Sequence, residues 1–325
     1  MNIAFPLCKK PFSILLLTIF LSTSSFSQHY VAKDVKVTIL STMLAQQGIG
    51  EWGFSALIEV DSNKLLFDAG GRERTVLENA KELNIDLSTV PTLVLSHWHD
   101  DHTKGWLTLR KAMVSVAPTA LSKTHVAKVF FDVRFSNDGK DSSSRKKDST
   151  AYVYTGGKII EHRFFEEILP GVYVTGNVPR VYNEKNYYPE AKLKSADNHF
   201  IEDNIPDDMS LVIATKEGLV LISGCGHAGI INTITHINKN LAGQSVIAAI
   251  GGFHLLKSSD EQIQWTADNL KKAGVKYFMG AHCTGIDAVY QIRNYLSLKR
   301  GDCVVGSVGD TFDIHNGFTC GDLNR

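Results

Sequence analysis

Apolar and polar positions alternate from Val35-Lys-Val-Thr-Ile-Leu40, the pattern of a half-buried strand. Phe54-Ser-Ala-Leu-Ile-Glu-Val60 and Lys64-Leu-Leu-Phe67 follow, separated by the turn-like Asp61-Ser62-Asn63. Thr75 to Leu83 has helical spacing, and Thr92-Leu-Val-Leu-Ser96 is a short apolar strand that runs straight into a polar cluster at His97. In the second half, Leu211–Thr215 and Leu219–Ser223 read as a hairpin and Ile230–Asn240 as a helix. Ser245–Ile250 is a strand, Glu261–Ala273 a helix, Lys276–Met279 a strand and Ile286–Leu296 a helix. Strands around Cys303-Val-Val and Thr311–Ile314 close the pattern. Strands in both halves with helices between them predict a layered α/β architecture. The polar stretch Phe135–Thr150 reads as a long exposed loop, either a solvated insertion or a lid over a site.

The first 27 residues read differently. Lys9 and Lys10 precede an apolar run from Phe12 to Leu21, and Ser25-Phe26-Ser27 places small residues before Gln28. This is the pattern of a secretory signal peptide over 1–27, with one mature domain over 28–325, periplasmic or secreted. The apolar run is well short of the roughly 20 residues that a spanning helix needs, so no stable membrane anchor is expected after cleavage. Export leaves Cys225, Cys283, Cys303 and Cys320, too few for a disulfide scaffold. Cys303 and Cys320 lie close together in sequence and are a candidate pair.

Composition narrows the function. Lys+Arg and Asp+Glu number 34 each, so the formal charge is zero, which argues against a nucleic-acid binder working through a basic surface. A small-molecule substrate is the expected partner, and the sequence leaves the oligomeric state open.

The candidate chemistry sits in Ser96-His97-Trp98-His99-Asp100-Asp101-His102. In an extended segment, His97 and His99 point to one side, and Asp101 and His102 can turn toward a neighbouring point. That suits two adjacent metal ions, one held by imidazoles and one by mixed oxygen and nitrogen ligands. Three later strands each run into glycine and then histidine: Gly224-Cys225-Gly226-His227, Gly251-Gly252-Phe253-His254 and Gly280-Ala281-His282-Cys283. His29, His125, His162, His199, His236 and His315 show no such pattern.

The His-x-His-x-Asp-His loop resembles that of the metallo-β-lactamase superfamily. Within it the chain is similar to the branch of dihydropteridine (methanopterin-precursor) synthase-like metal-dependent hydrolases. That narrower likeness rests on Glu51–Ser55, Leu65–Gly70, Ser96–Gly105, Gly176–Arg180, Ser223–Gly229, Gly251–Leu255 and His282–Gly285, and spans about residues 35–315. The resemblance implies an αββα four-layer sandwich with a metal site at one edge. By position, His97 and His99 would hold a first ion, Asp101 and His102 a second, and His282 matches the last histidine ligand. Asp68 matches a supporting aspartate. The usual third histidine is absent, so Asp208 or His227 would take its place, and Cys225 stands where many members carry a bridging aspartate.

The implied ions are two zincs, with manganese or iron open. Together they would activate a hydroxide that Asp101 orients. His254 would serve as ligand or as proton donor to the leaving group, and Arg180 would clamp a phosphate or carboxylate. The expected function is an exported metal-dependent hydrolase of a small anionic ester, a phosphoester first. Lactam or lactone hydrolysis and a non-catalytic metal-dependent ligand-binding protein are the alternatives.

Overall fold

Alternation within single strands decides the layering. In the strand Asn63–Phe67, Leu65 and Phe67 point into one apolar core while Leu66 points into another. In Leu219–Ser223, Val220 and Ile222 share the first of those cores, and Leu219 and Leu221 face a third. Each strand is therefore buried on both faces, which requires two sheets stacked face to face with helices outside each. The computed structural model describes residues 1–4, 30–135, 145–184, 186–187, 192–194 and 199–324. The expected signal peptide lies mostly outside them.

One sheet has eight strands, in the order Gly317–Thr319, Thr311–Asp313, Val35–Ser41, Ser55–Val60, Asn63–Phe67, Thr92–Val94, Lys123–Ala127 and Lys158–His162. Its first five are antiparallel and the remainder parallel. The other has seven, in the order Cys303–Val305, Tyr277–Gly280, Val246–Gly251, Leu219–Ser223, Leu211–Ala214, Val172–Val174 and Glu166–Leu169. Its first four run parallel. Helices α1 (Thr75–Glu82) and α3 (Trp106–Val114) cover the first sheet through Val76, Ala80, Trp106 and Leu109; a one-turn helix, α2 (Asp100–Thr103), lies between them in sequence. Helices α5 (Ile230–Asn240), α6 (Asp260–Ala273) and α7 (Ile286–Leu296) cover the second through Ile234, Ile237, Ile263, Leu270, Val289 and Ile292. The result is the expected αββα sandwich. Among the described residues no helix is long and apolar enough to cross a membrane.

Two expectations change. The end of the supposed loop is a helix, α4 (Arg145–Tyr154), while residues 136–144 lie outside the described part. Its apolar signal is weak because one aromatic anchors it: Tyr152 lies 4.8 Å from the Trp106 ring and its hydroxyl donates to Leu121 O. Cys303 and Cys320 are not brought together as a pair. Cys303 faces the core under α7, whereas Cys320 packs against the core between the sheets.

Strand ends position the site. Ser223, Gly251 and Gly280 are in register across three parallel strands, so the segments carrying Cys225, His254 and His282–Cys283 leave the sheet side by side. On the facing sheet, Phe67 is in register with Val94, which brings Asp68 beside Ser96.

Candidate metal centre

The centre is built on Asp68, fully buried and held in the left-handed region (φ 59°) where its strand ends. Its Oδ1 accepts from Ser96 N at 2.7 Å, and its Oδ2 accepts from Ser96 Oγ and from His102 Nδ1, both at 2.7 Å. The single hydroxyl proton of Ser96 is thereby used, so at 2.9 Å its Oγ accepts from His97 Nδ1. His227 Nδ1 donates to the Asn186 carbonyl. This network assigns the tautomers: His97 and His227 turn a bare Nε2 inward, and neutral His102 would do the same. Gly224 makes the approach possible, because a Cβ there would lie 2.1 Å from Ser96 Oγ and 2.5 Å from Asp68 Oδ2.

Four groups of three ligand atoms result, each with its atoms within 4.8 Å of one another. They are His97–His99–His227, Asp101–His102–His282, His97–His102–Cys225 and Cys225–His254–Cys283. His97 Nε2 is 2.9 Å from His99 Nδ1, and the His227 ring packs against both. His102 Nε2 lies 3.3 Å from His282 Nε2 and 3.2 Å from Cys225 Sγ; Asp101 Oδ2 is 3.2 Å from His282 Nε2. His227 Nε2 and His282 Nδ1 are buried with no hydrogen-bond partner. Imidazole nitrogens crowded together, some of them unsatisfied, fit bound divalent metal.

The electrostatics agree. Burial pushes the His97 and His227 imidazoles well below their ordinary value and His99 to about 3, so these rings stay neutral, the form that ligates. His102 goes the other way. Burial opposes its charge, yet the Asp68 and Asp101 carboxylates raise it to about 9, so a proton sits where a cation would. Despite burial, the charge of His102 and a hydrogen bond from His282 hold Asp101 below the usual carboxylate range.

Not every expected residue joins the cluster. Asp208 is buried but belongs to none of the four groups; its Oδ2 accepts from Ala228 N at 2.9 Å, which fixes the turn that carries His227. Of the two candidates for the third histidine's place, His227 is the one brought in. Arg180 was expected to clamp an anion. Instead it donates to the carbonyls of His227, Asn204 and Ile205, which ties the turn carrying His227 to the segment before Asp208. Cys225 reaches the cluster, and His254 lies on its edge. Sequence reasoning left Cys283 without a role, although its signal was present: it directly follows His282 at a strand end. His125 and His162, which lack a sequence pattern, stack at 4.9 Å away from the centre, with His162 Nδ1 at 2.5 Å from Glu166 Oε1.

A cavity of about 280 Å³ opens beside His254. Asn186, Tyr187, Lys257, Ser258 and Gln262 line it, so its wall is rich in hydrogen-bond donors with one cation.

The metallo-beta-lactamase superfamily pattern matches residues 53–225. A 7,8-dihydropterin-6-methyl-4-(beta-D-ribofuranosyl)-aminobenzene-5'-phosphate synthase of Methanocaldococcus jannaschii is 33% identical over 268 residues, 78% of this chain and 89% of that protein. An uncharacterised protein of the same organism is 30% identical over 81% of this chain and 93% of its own length. Among solved structures, a metal-dependent hydrolase of the beta-lactamase superfamily superposes with a TM-score of 0.68 at 28% identity, over 85% of this chain and 98% of that one. The fold of a Bacillus subtilis metallo-beta-lactamase fold protein, YhfI, is also similar (TM-score 0.51, 12% identity, 86% and 100% coverage).

Proposed function

The chain belongs to the metallo-beta-lactamase superfamily, and on that premise we propose that it is an exported metal-dependent hydrolase of a small anionic ester, a phosphoester first. The observation that carries this reading is the inward set of imidazole nitrogens, each of three rings fixed by a partner on its other nitrogen. His97, His99 and His227 would hold one divalent ion, and Asp101, His102 and His282 another, with Cys225 at hand between them. Such ions supply Lewis acidity and make water nucleophilic near neutral pH. Asp101, held ionised, accepts a hydrogen bond from the attacking water and so orients it. The donors of the adjoining cavity receive the anionic part of the substrate, with Lys257 contributing charge. The phosphate in the name of the Methanocaldococcus relative supports the same choice. Export rests on the Lys9–Lys10, apolar-run and Ser25–Ser27 pattern.

The test is turnover of aryl phosphate mono- and diesters, a chromogenic cephalosporin and lactones by protein purified without chelators and supplied with zinc, manganese or iron. Phosphoester turnover lost together with metal in His99→Ala is the expected result. Cephalosporin or lactone turnover without phosphoester turnover would move the assignment to those substrates, and full turnover by His99→Ala would end it. Export predicts that the mature protein starts at Gln28; a protein that keeps Met1 in the cytoplasm contradicts it.

A further inference from the structure

Three adjacent parallel strands converge on a cluster that the two histidine sets do not use. Ser223, Gly251 and Gly280 are in register, and Cys225, His254 and Cys283 follow them closely in the chain. Their ligand atoms lie within 4.8 Å of one another. Cys225 Sγ and Cys283 Sγ are 3.2 Å apart, and both residues are 2% exposed. His254 Nδ1 is buried and has no hydrogen-bond partner.

The backbone is shaped to hold these groups. His254 occupies the left-handed region (φ 49°), a costly conformation for a residue with a side chain. Thr284 Oγ1 accepts from Phe253 N and donates to Gly251 O, both at 3.0 Å, and Leu256 N donates to Cys283 O at 3.2 Å. These bonds tie the two strand ends together. Gly252 leaves the room: a Cβ there would stand 2.0 Å from Gly224 O and 3.0 Å from Cys283 Sγ.

We propose that Cys225, Cys283 and His254 form a thiolate-rich metal site of their own, selective for a borderline-soft ion of the zinc class. Two sulfurs and one imidazole are a ligand set that holds zinc with a fourth position open, whereas carboxylate and imidazole sets accept harder ions. His254 also lines the cavity of about 280 Å³, and as a ligand it would not be free to act as the proton donor. Cys225 is common to this set and to His97–His102–Cys225, which links the occupancy of the two. The inference concerns the same centre as the proposed hydrolase but does not depend on turnover.

The experiment uses the full chain, reduced, stripped of metal and reloaded with Co²⁺ alone. Cobalt bound by thiolate shows a sulfur-to-metal charge-transfer band that histidine and carboxylate ligands do not give. Cys283→Ser is expected to lose one equivalent of cobalt and about half or more of that band, any remainder coming from Cys225 in the His97–His102–Cys225 set. His254→Gln, which leaves both sulfurs in place, is expected to lose the same equivalent. His99→Ala, which disables the proposed hydrolase, should keep the band. Unchanged cobalt content and an unchanged band in Cys283→Ser and His254→Gln would overturn the proposal. So would a Cys225–Cys283 disulfide that persists in the protein as isolated and leaves no thiol to bind cobalt.

Discussion

Asp68 controls the candidate centre without belonging to any of its ligand groups. One carboxylate fixes Ser96 by two bonds and His102 by a third, and through Ser96 it sets the tautomer of His97. Asp68→Ala removes all three acceptor contacts and is expected to weaken metal binding by about 10–100-fold, the usual scale when the partner behind a metal-ligating histidine is lost. Competition against a chromogenic chelator reads this directly; undiminished affinity would show that His97 and His102 are oriented by packing alone. The residues of this centre were unequally legible. His97, His99, Asp101 and His102 stand close together in a local pattern after a strand, so sequence exposes them. The direction of the His227 ring was hidden, because it depends on the Asn186 carbonyl, 41 residues earlier in the chain. The same turn holds Asp208 and Arg180, whose charges suggested ligand and clamp until their partners proved to be backbone groups.

At the scale of elements, two buried ionisable groups hold segments against the centre. Arg134 pairs with Asp203 at 3.0 Å and Asp207 at 2.5 Å, and Asp207 in turn accepts from Trp98 N inside the histidine loop. Arg134→Met leaves two buried carboxylates without this cation, and about 3–5 kcal/mol of stability should be lost in urea denaturation. A loss below about 1 kcal/mol would mean that the carboxylates readily find other compensation. Glu184 accepts from Ile231 N and Asn232 N at the start of α5. Burial pushes its carboxyl up to about 7, against those two N–H groups. The folded protein therefore keeps a proton that the unfolded chain releases above about pH 4.5. Its contribution is complete below that pH and is lost as pH rises through about 7. Across that window, stability should fall by on the order of 2–3 kcal/mol more than in Glu184→Gln, whose amide cannot ionise. Parallel pH profiles in wild type and variant would refute this. Elements with regular alternation, such as Val35–Ser41 and Leu219–Ser223, were legible because both faces are apolar or alternate cleanly. Helix α4 was not, since its polar surface hides a single anchoring tyrosine.

For the whole molecule, the question is what the metal centre does for the fold. Three apolar cores, one between the sheets and one under each helical layer, include none of the candidate histidines. The sandwich therefore has its driving force without an ion, while the strand ends at the centre crowd together neutral rings and a protonated His102. Chelation should abolish turnover, leave the far-ultraviolet circular dichroism of the sheets and helices in place, and lower the melting temperature by several degrees. The size of the shift follows from linkage: an ion present at a thousandfold excess over its dissociation constant adds about 4 kcal/mol to the folded state. Adding zinc back should restore both temperature and turnover. If the far-ultraviolet signal collapsed with the metal, the centre would be part of the folding nucleus, and the strand ends at Cys225, His254 and His282 could not be held by the sheets alone.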